Sequence, residues 1–350
     1  NRSHSIAMHT ILNTLYVMTP HAYAHLENAT VRIDVEREKR LQVPLHHLSG
    51  LVTFGNVMVS PALMHRLADE GKSLVLLDDH GRFKARLEGA ISGNILLRQA
   101  QHKAAGDPAV TLEQARACVA GKLRNSRVNL QRGAREAADP EEGAQLTRAA
   151  DNLAASLRAA ASATHLDELR GVEGEAARGY FAGLNLIVKP QARAAFALDG
   201  RTRRPPLDRF NALLSFLYAM LMNDCRSALE AVGLDPQLGF LHAVRPGRAA
   251  LALDLQEEFR SILADRLALT LINRGQLGAE DFETREGGAV SLGEKGRRAA
   301  VTAWQERKQE EITHPLLETK LPIGLLPLIQ ARFMARAIRG NRPMGSLVSS

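Results

Sequence analysis

Three stretches of this chain combine residue types that could do chemistry. Residues 170–181 (RGVEGEAARGYF) set Glu173 among Gly171, Gly174 and Gly179 in sequence otherwise suited to helix. Each glycine costs a helix about 1 kcal/mol relative to alanine, so propensity alone would not choose three so close together. They expose backbone to the approach of something bulky, or they let helices pack closely and leave Glu173 as a surface acid. Residues 233–242 (GLDPQLGFLH) end a helix at Gly233, turn at Asp235-Pro236 and carry His242 behind an apolar pair. An imidazole in that setting is either a hydrogen-bonded structural group or a metal ligand.

Residues 251–260 (LALDLQEEFR) place Asp254 and Glu257 three apart, on one face of a helix. Asp254 fits an N-cap with Glu257 completing a box-like pattern, and acids at a helix start complement its dipole. The same spacing, just downstream of His242, also suits a hard cation. Glu173, His242 and Glu257, with Asp254 beside them, would form a mixed oxygen and nitrogen donor set. Carboxylates suit Mg²⁺ or Mn²⁺, and an added imidazole leans toward Mn²⁺. Such an ion near a basic surface would polarise a phosphodiester.

The elements that must position these residues divide the chain. From Met8 to about Glu88, short alternating apolar runs broken by turn residues predict strands: Thr10 to Met18, Thr30 to Val35, Arg40 to Leu45, Leu51 to Phe54, Ser73 to Leu77 and Arg82 to Leu87. Turns are expected at 26–29 and 78–81. Ser60-Pro61 predicts one helix start among them, carrying Leu63, Met64 and Leu67 and stopping near Gly71. From residue 96 to 350 the sequence is rich in Ala, Leu and Arg with a helical period. Leu112, Ala115, Val119, Leu123 and Leu130 make one stripe of a long helix over Thr111 to Gln131. Residues 137–144 (AADPEEGA) read as an acidic break, and helices follow over Leu146 to Leu169, Phe210 to Val232, Leu253 to Asn273 and Leu292 to Glu310. Lys189 to Pro206 reads as a basic, Pro-rich loop. The expected fold is α+β, a small N-terminal β domain (8–95) followed by a larger helical domain (96–350). Residues 1–7 precede Met8, which reads as the natural start, and are expected to be a cloning remnant.

Composition bounds the partners. The chain has 350 residues, 45% hydrophobic and 24% charged, which excludes disorder and fibrous coils. The net charge of +7 favours polyanions, and 36 of the 45 basic residues are Arg, whose guanidinium grips phosphate bidentately. Genome base composition can produce the same skew. Two cysteines exclude a disulfide framework and a thiolate zinc site. No run of about 18 apolar residues and no leader is found, so a soluble cytoplasmic protein without membrane contact is expected. Aromatic residues are only 4%, which argues against a base-stacking platform and for backbone gripping.

The three stretches occur together with Asn211-Ala212-Leu213-Leu214-Ser215 and Tyr218 in an order and at separations that resemble the CRISPR adaptation integrase family. The resemblance extends to Val43-Pro44-Leu45, Leu51-Val52-Thr53-Phe54-Gly55 and Val59-Ser60-Pro61 in the β region, and to residues 325–332 and Arg339-Gly340 near the end. It covers nearly the whole chain from Met8 to Gly340, and its texture looks most like the subtype I-C branch. The ending departs from the family pattern, since an acid and a Tyr-Pro-rich tail would follow Arg339-Gly340 where this chain has residues 341–346 (NRPMGS).

What the resemblance implies is a divalent-metal endonuclease and integrase. Glu173, His242 and Glu257 would be catalytic metal ligands for Mg²⁺ or Mn²⁺, with Asp254 a supporting acid, either a ligand through water or the helix cap. The 3′ hydroxyl of a short prespacer duplex would attack a phosphodiester at the edge of a CRISPR repeat. The resemblance also implies homodimers that bind a small dimeric adaptor, the second core adaptation protein, with the β domain as dimer interface and partner contact. An end-trimming nuclease is a further partner to be considered. Arg178, Arg201, Arg203, Arg204, Arg245 and Arg248 are candidates for DNA backbone contacts, against a solvated basic face. Two other readings stand beside this one: a catalytically silent DNA-binding scaffold, which predicts no metal-stimulated strand transfer, and a small-molecule metallohydrolase, which lacks the usual His-rich motifs.

Overall fold

The computed structural model describes residues 8–11, 14–78, 83–87, 89, 95–198, 200–202, 204–314 and 316–340. The leading residues 1–7, most of the expected turn at 78–81, Arg203 and the atypical tail after Gly340 lie outside them. The chain forms two compact units, Asn1–Ser92 with Leu292–Gln309, and Gly93–Ser291 with Glu310–Ser350.

The first unit holds β1 (Met8–Ile11), β2 (Thr14–Val17), β3 (Tyr23–Glu27), β4 (Thr30–Val35), β5 (Glu38–Pro44), β6 (Gly50–Phe54), β7 (Met58–Val59), α1 (Pro61–Asp69), β8 (Ser73–Leu77) and β9 (Phe83–Leu87). One sheet runs β1-β2-β6-β8-β9 and the other β5-β4-β3-β7. The run read as one strand over Thr10 to Met18 is two antiparallel strands, with Met8 opposite Val17. Strand β3 was not legible as such; it pairs antiparallel with β4, Leu26 opposite Val31, round a turn in which Asn28 takes φ 53°. Helix α1 starts where Ser60-Pro61 places it, the Ser60 hydroxyl accepting the Leu63 N–H at 3.2 Å. Its Leu63 and Leu67 are fully buried with Leu15, Val31, Ile33, Leu51 and Leu74, and removing either side chain should cost about 2 to 5 kcal/mol.

The second unit is helical: α2 (Ile95–Ala105), α3 (Pro108–Glu136), α4 (Pro140–Ser162), α5 (Leu166–Ile187), α6 (Pro190–Phe196), α7 (Arg209–Val232), α8 (Ala250–Phe259), a π-helical turn (Arg260–Asp265) and α9 (Arg266–Asn273). Strands β10 (Phe282–Thr284) and β11 (Val290–Leu292) make a small sheet; α10 (Glu294–Gln309) follows and belongs to the first unit, not to the helical one as the sequence suggested. Strands β12 (Glu311–Thr313) and β13 (Lys320–Pro322) pair, and α11 (Leu326–Ile338) closes the described chain. Helix α3 is the axis of the second unit, packed against α4, α5, α8 and the π-helical turn. All five residues of its expected stripe are buried.

Several boundaries differ from the sequence reading: α3 extends beyond Thr111 and Gln131 at both ends, and the helix expected over Leu253 to Asn273 starts at Ala250 and is interrupted by the π-helical turn. The acidic break is only residues 137–139, because Asp139 caps α4 by accepting the Glu141 N–H at 3.0 Å and Pro140 opens that helix. The helix expected over Leu146 to Leu169 stops at Ser162, since the Thr164 N–H donates to Glu168 Oε2 at 2.7 Å and starts α5 afresh. The loop expected over Lys189 to Pro206 contains α6, with Pro190 at its first turn. Cys118 and Cys225 are both buried. Among the described residues no helix is long and apolar enough to cross a membrane.

Candidate active site

The loop between α7 and α8 carries His242. Helix α7 ends at Gly233, in the left-handed region at φ 91°. Gln101 on α2, fully buried, then pins the loop: its Nε2 donates to the carbonyls of Asp235 (2.8 Å) and Leu238 (3.0 Å), and its Oε1 accepts the Asp235 N–H (2.9 Å). The Pro236 carbonyl accepts the N–H groups of Leu251 (2.9 Å) and Ala252 (3.2 Å), so the loop itself caps α8. Asp254 is therefore not an N-cap. It sits inside α8, 0% exposed, and accepts the backbone N–H groups of Phe240 (2.6 Å), Leu241 (3.0 Å) and His242 (2.9 Å). Its Oδ1 also lies 2.7 Å from His242 Nδ1. A carboxylate can only accept, so Nδ1 carries a proton, and in the neutral ring the lone pair falls on Nε2. Gly239 is obligatory for this approach: a Cβ there would lie 2.7 Å from the Ala250 carbonyl carbon and 2.8 Å from Asp254 Oδ2.

His242 Nε2 faces Glu257 Oε1 at 3.6 Å. Glu257, one helical turn after Asp254, is 2% exposed and paired with Arg260 Nη1 at 2.7 Å and Lys122 Nζ at 2.8 Å. Lys122 also pairs with Glu173 Oε1, so one ammonium from α3 joins acids from α5 and α8. Burial pushes the Glu257 carboxyl up, but the Arg260 guanidinium, Lys122 and His242 outweigh it and hold it at about 2. Arg170 on α5 donates to the Leu241 carbonyl from Nε (3.0 Å) and Nη2 (2.7 Å), tying the helix of Glu173 to the loop of His242. Around Gly171, Gly174 and Gly179 there is open space rather than a packed neighbour.

Behind Arg260 lies a buried polar network centred on Asp265, at the end of the π-helical turn. Tyr180 donates to its Oδ2 at 2.8 Å and Tyr218 to its Oδ1 at 2.6 Å, while Asn129 donates to the Tyr180 hydroxyl at 2.9 Å. Burial raises Asp265 to about 6, against the lowering effect of those hydroxyls and of Arg260 and Arg201. The guanidinium carbons of Arg260 and Arg201 lie 5.0 and 5.2 Å from the Tyr218 ring centre.

The candidate DNA contacts separate into two kinds. Arg201 is engaged internally, donating to Asn211 Oδ1 (2.7 Å) and Ser215 Oγ (3.1 Å). Arg178, Arg204 and Arg245 are exposed, and Arg248 is half-buried. Partial burial and the Arg245 guanidinium, with Arg204 and Arg170 beyond, pull Arg248 below its usual value, Asp254 acting the other way. Positive charge is thus concentrated beside His242.

Glu173, His242 and Glu257 are drawn together, but as they stand no three described His, Cys, Asp or Glu side chains close on one point as ligands, since the Lys122 ammonium lies between the glutamates. Lys122, Arg170 and Arg260 were missed as site residues. Arg260 was visible three residues after Glu257, and Lys122 as a charge between Val119 and Leu123 of an otherwise apolar stripe.

An α+β chain whose helical unit gathers two carboxylates and an imidazole beside a band of arginines has the chemistry of a phosphodiester-handling enzyme. Residues 15–306 match the family of CRISPR associated protein Cas1, and the chain belongs to that family. It is 53% identical over 95% of its length, and 97% of the relative, to a CRISPR-associated endonuclease Cas1 of Moorella thermoacetica, and 46% identical, with the same coverage, to one of Chlorobaculum tepidum. Its fold is that of a solved CAS1 protein from Thermotoga maritima (TM-score 0.81, 21% identity, 95% of this chain and 99% of that one). Similar folds occur in a casposase bound to integration product (0.79, 20% identity, 93% and 90%) and in a Cas6-RT-Cas1–Cas2 complex (0.80, 23% identity, 98% and 36%). Both the Moorella thermoacetica and the Chlorobaculum tepidum relatives are named CRISPR-associated endonucleases, so the silent-scaffold reading is not favoured.

Proposed function

We propose that this chain is a nuclease and integrase of CRISPR adaptation and that Glu173, His242 and Glu257 form its divalent-metal centre, with Mg²⁺ or Mn²⁺ as the ion. The observation that carries the reading is their linkage across two helices and a loop: the Lys122 ammonium pairs with both glutamates, and His242 Nε2 lies 3.6 Å from Glu257 Oε1. The donor chemistry fits. Two carboxylates and an imidazole suit a hard to borderline cation, and the buried Glu257 Oε2 already faces a cation, the Lys122 ammonium, at 2.8 Å. When bound, the ion would stabilise charge on the phosphate and the leaving oxygen.

The chain's own residues do the rest. Asp254 fixes the His242 ring and its tautomer, and Arg260 keeps Glu257 ionised. Arg204, Arg245 and Arg248 would hold DNA backbone beside His242, the phosphates relieving the repulsion among these guanidinium groups. The open face at Gly171, Gly174 and Gly179, with Arg178 beside it, leaves room for a duplex to approach Glu173. DNA and the Cas2-type adaptor are the proposed partners, in keeping with the complexes in which similar folds are found. Homodimerisation through the β-rich unit, an end-trimming nuclease and membership of the I-C branch rest on the sequence resemblance.

The test is strand transfer of a short duplex with free 3′ ends into a plasmid carrying a repeat, with Mg²⁺ or Mn²⁺. His242→Ala and Glu257→Ala should abolish transfer; folded variants with wild-type transfer would refute the assignment.

A further inference from the structure

We propose that Lys122 is the built-in counter-ion of this site, holding Glu173 and Glu257 together in the metal-free protein and giving them up when a divalent cation binds. The inference rests on the metal reading above and adds a residue to it.

Lys122 is 9% exposed, on the face of α3 that also buries Val119, Leu123, Asn125 and Ser126. Burying an ammonium is costly unless it is paired. Here it is paired twice, with Glu173 on α5 and with Glu257 on α8. Two carboxylates brought this close repel and would resist sharing a site without a cation between them. Arg260 cannot replace Lys122, because it approaches Glu257 from the other oxygen, Oε1, leaving Oε2 to the ammonium.

The residue type also fits a contact that is made and released. An ammonium is a compact point charge on a flexible four-carbon stem, whereas a guanidinium would lock both acids in a fixed fork. A metal ion would seek the same oxygens. Lys122 and the ion are therefore competitors, and Lys122 keeps the acids gathered until the ion displaces it.

Mn²⁺ binding, followed through the electron paramagnetic resonance of free Mn²⁺, should be compared for wild type, Lys122→Met, Lys122→Gln and Glu257→Gln, with melting curves in chelator and in Mn²⁺. The two Lys122 variants should melt lower than wild type without metal, yet bind Mn²⁺ at least about fivefold more tightly, because a competing positive charge has gone. A purely structural lysine would lower melting without tightening the metal. If Glu257→Gln abolishes Mn²⁺ binding while the Lys122 variants bind no more tightly than wild type, the counter-ion proposal fails and the metal reading stands. If wild type and Glu257→Gln bind Mn²⁺ alike, the metal reading fails and takes the proposal with it. Should the variants not fold, the wild-type chain decides: acetylation of Lys122, read by mass spectrometry, should rise several-fold on adding Mn²⁺, and no rise overturns the proposal.

Discussion

Asp254 holds His242 twice over, accepting its backbone N–H at 2.9 Å and standing 2.7 Å from its ring Nδ1. The acid thus sets both the position of the loop and the tautomer of the imidazole. Its carboxylate is spent on four donors from three consecutive residues, which leaves Nε2 as the working nitrogen beside Glu257.

Asp254→Asn should therefore damage the site without touching a proposed ligand. An amide keeps one oxygen but turns an N–H₂ group toward donors. Hydrogen bonds to a charged group are worth about 1.5 to 3 kcal/mol, so denaturant unfolding should report a loss of about 2 to 3 kcal/mol. Strand transfer by the protein that remains folded should fall about 10- to 100-fold, the usual cost of losing the partner that orients a metal-binding histidine. Wild-type transfer in a folded Asp254→Asn variant would mean that the ring needs no such support.

Gly239→Ala tests the same geometry from the loop side. The new Cβ would lie within 3 Å of Ala250 and Asp254, both on the rigid start of α8, so the loop must move. Overpacking of this kind costs about 1 to 3 kcal/mol. The expected outcome is a lowered melting temperature together with a loss of transfer larger than the change in folded fraction explains.

Much of this arrangement was legible in the sequence, and for physical reasons. Proline behind a capping residue marks a helix start, hence α1, though the same signal at Asp139-Pro140 was hidden in a stretch read as a break, and an apolar stripe of period 3.6 must face a core, hence α3. Asp254 misled because a box-like spacing describes only local chemistry. The cap of α8 comes instead from the Pro236 carbonyl, a contact from a separate loop. Strand β3 escaped because its alternation is short and its buried inward residue, Ala24, is small; His25 on the other face is satisfied by Asp34 across the sheet at 2.9 Å, which no local pattern announces. The segment Glu294–Gln309 reads as one more helix of the helical region, and only long-range packing assigns it to the first unit.

The arginines beside His242 should show themselves in salt dependence. If Arg245 and Arg248 each neutralise a phosphate, replacing one by Gln should weaken DNA binding similarly for all sequences and reduce the slope of log affinity against log salt by about 1. Arg201→Gln should behave differently, because its guanidinium is engaged with Asn211, Ser215 and the Tyr218 face: stability should fall while the salt slope stays near that of wild type. Fluorescence anisotropy with a labelled duplex across a salt series separates the two outcomes.

Asp265 should give the helical unit a pH dependence of its own. The groups facing it are Tyr180 from α5, Tyr218 from α7, Arg260 from its own π-helical turn and Arg201 from the loop before α7. Burial raises the folded carboxyl from 3.8 to about 6. Between those values the folded protein keeps a proton that the unfolded chain has lost, so the contribution of this group to stability is fully present below pH 3.8, falls as pH rises, and is gone above about 6. A rise of that size corresponds to about 3 kcal/mol. Asp265→Asn does not titrate, so the stability of the variant relative to wild type should improve by up to about 3 kcal/mol between pH 4 and pH 7, whatever its offset at any single pH. Urea unfolding of both proteins across that range measures the difference, and a difference that stays flat would show that Asp265 is ionised throughout.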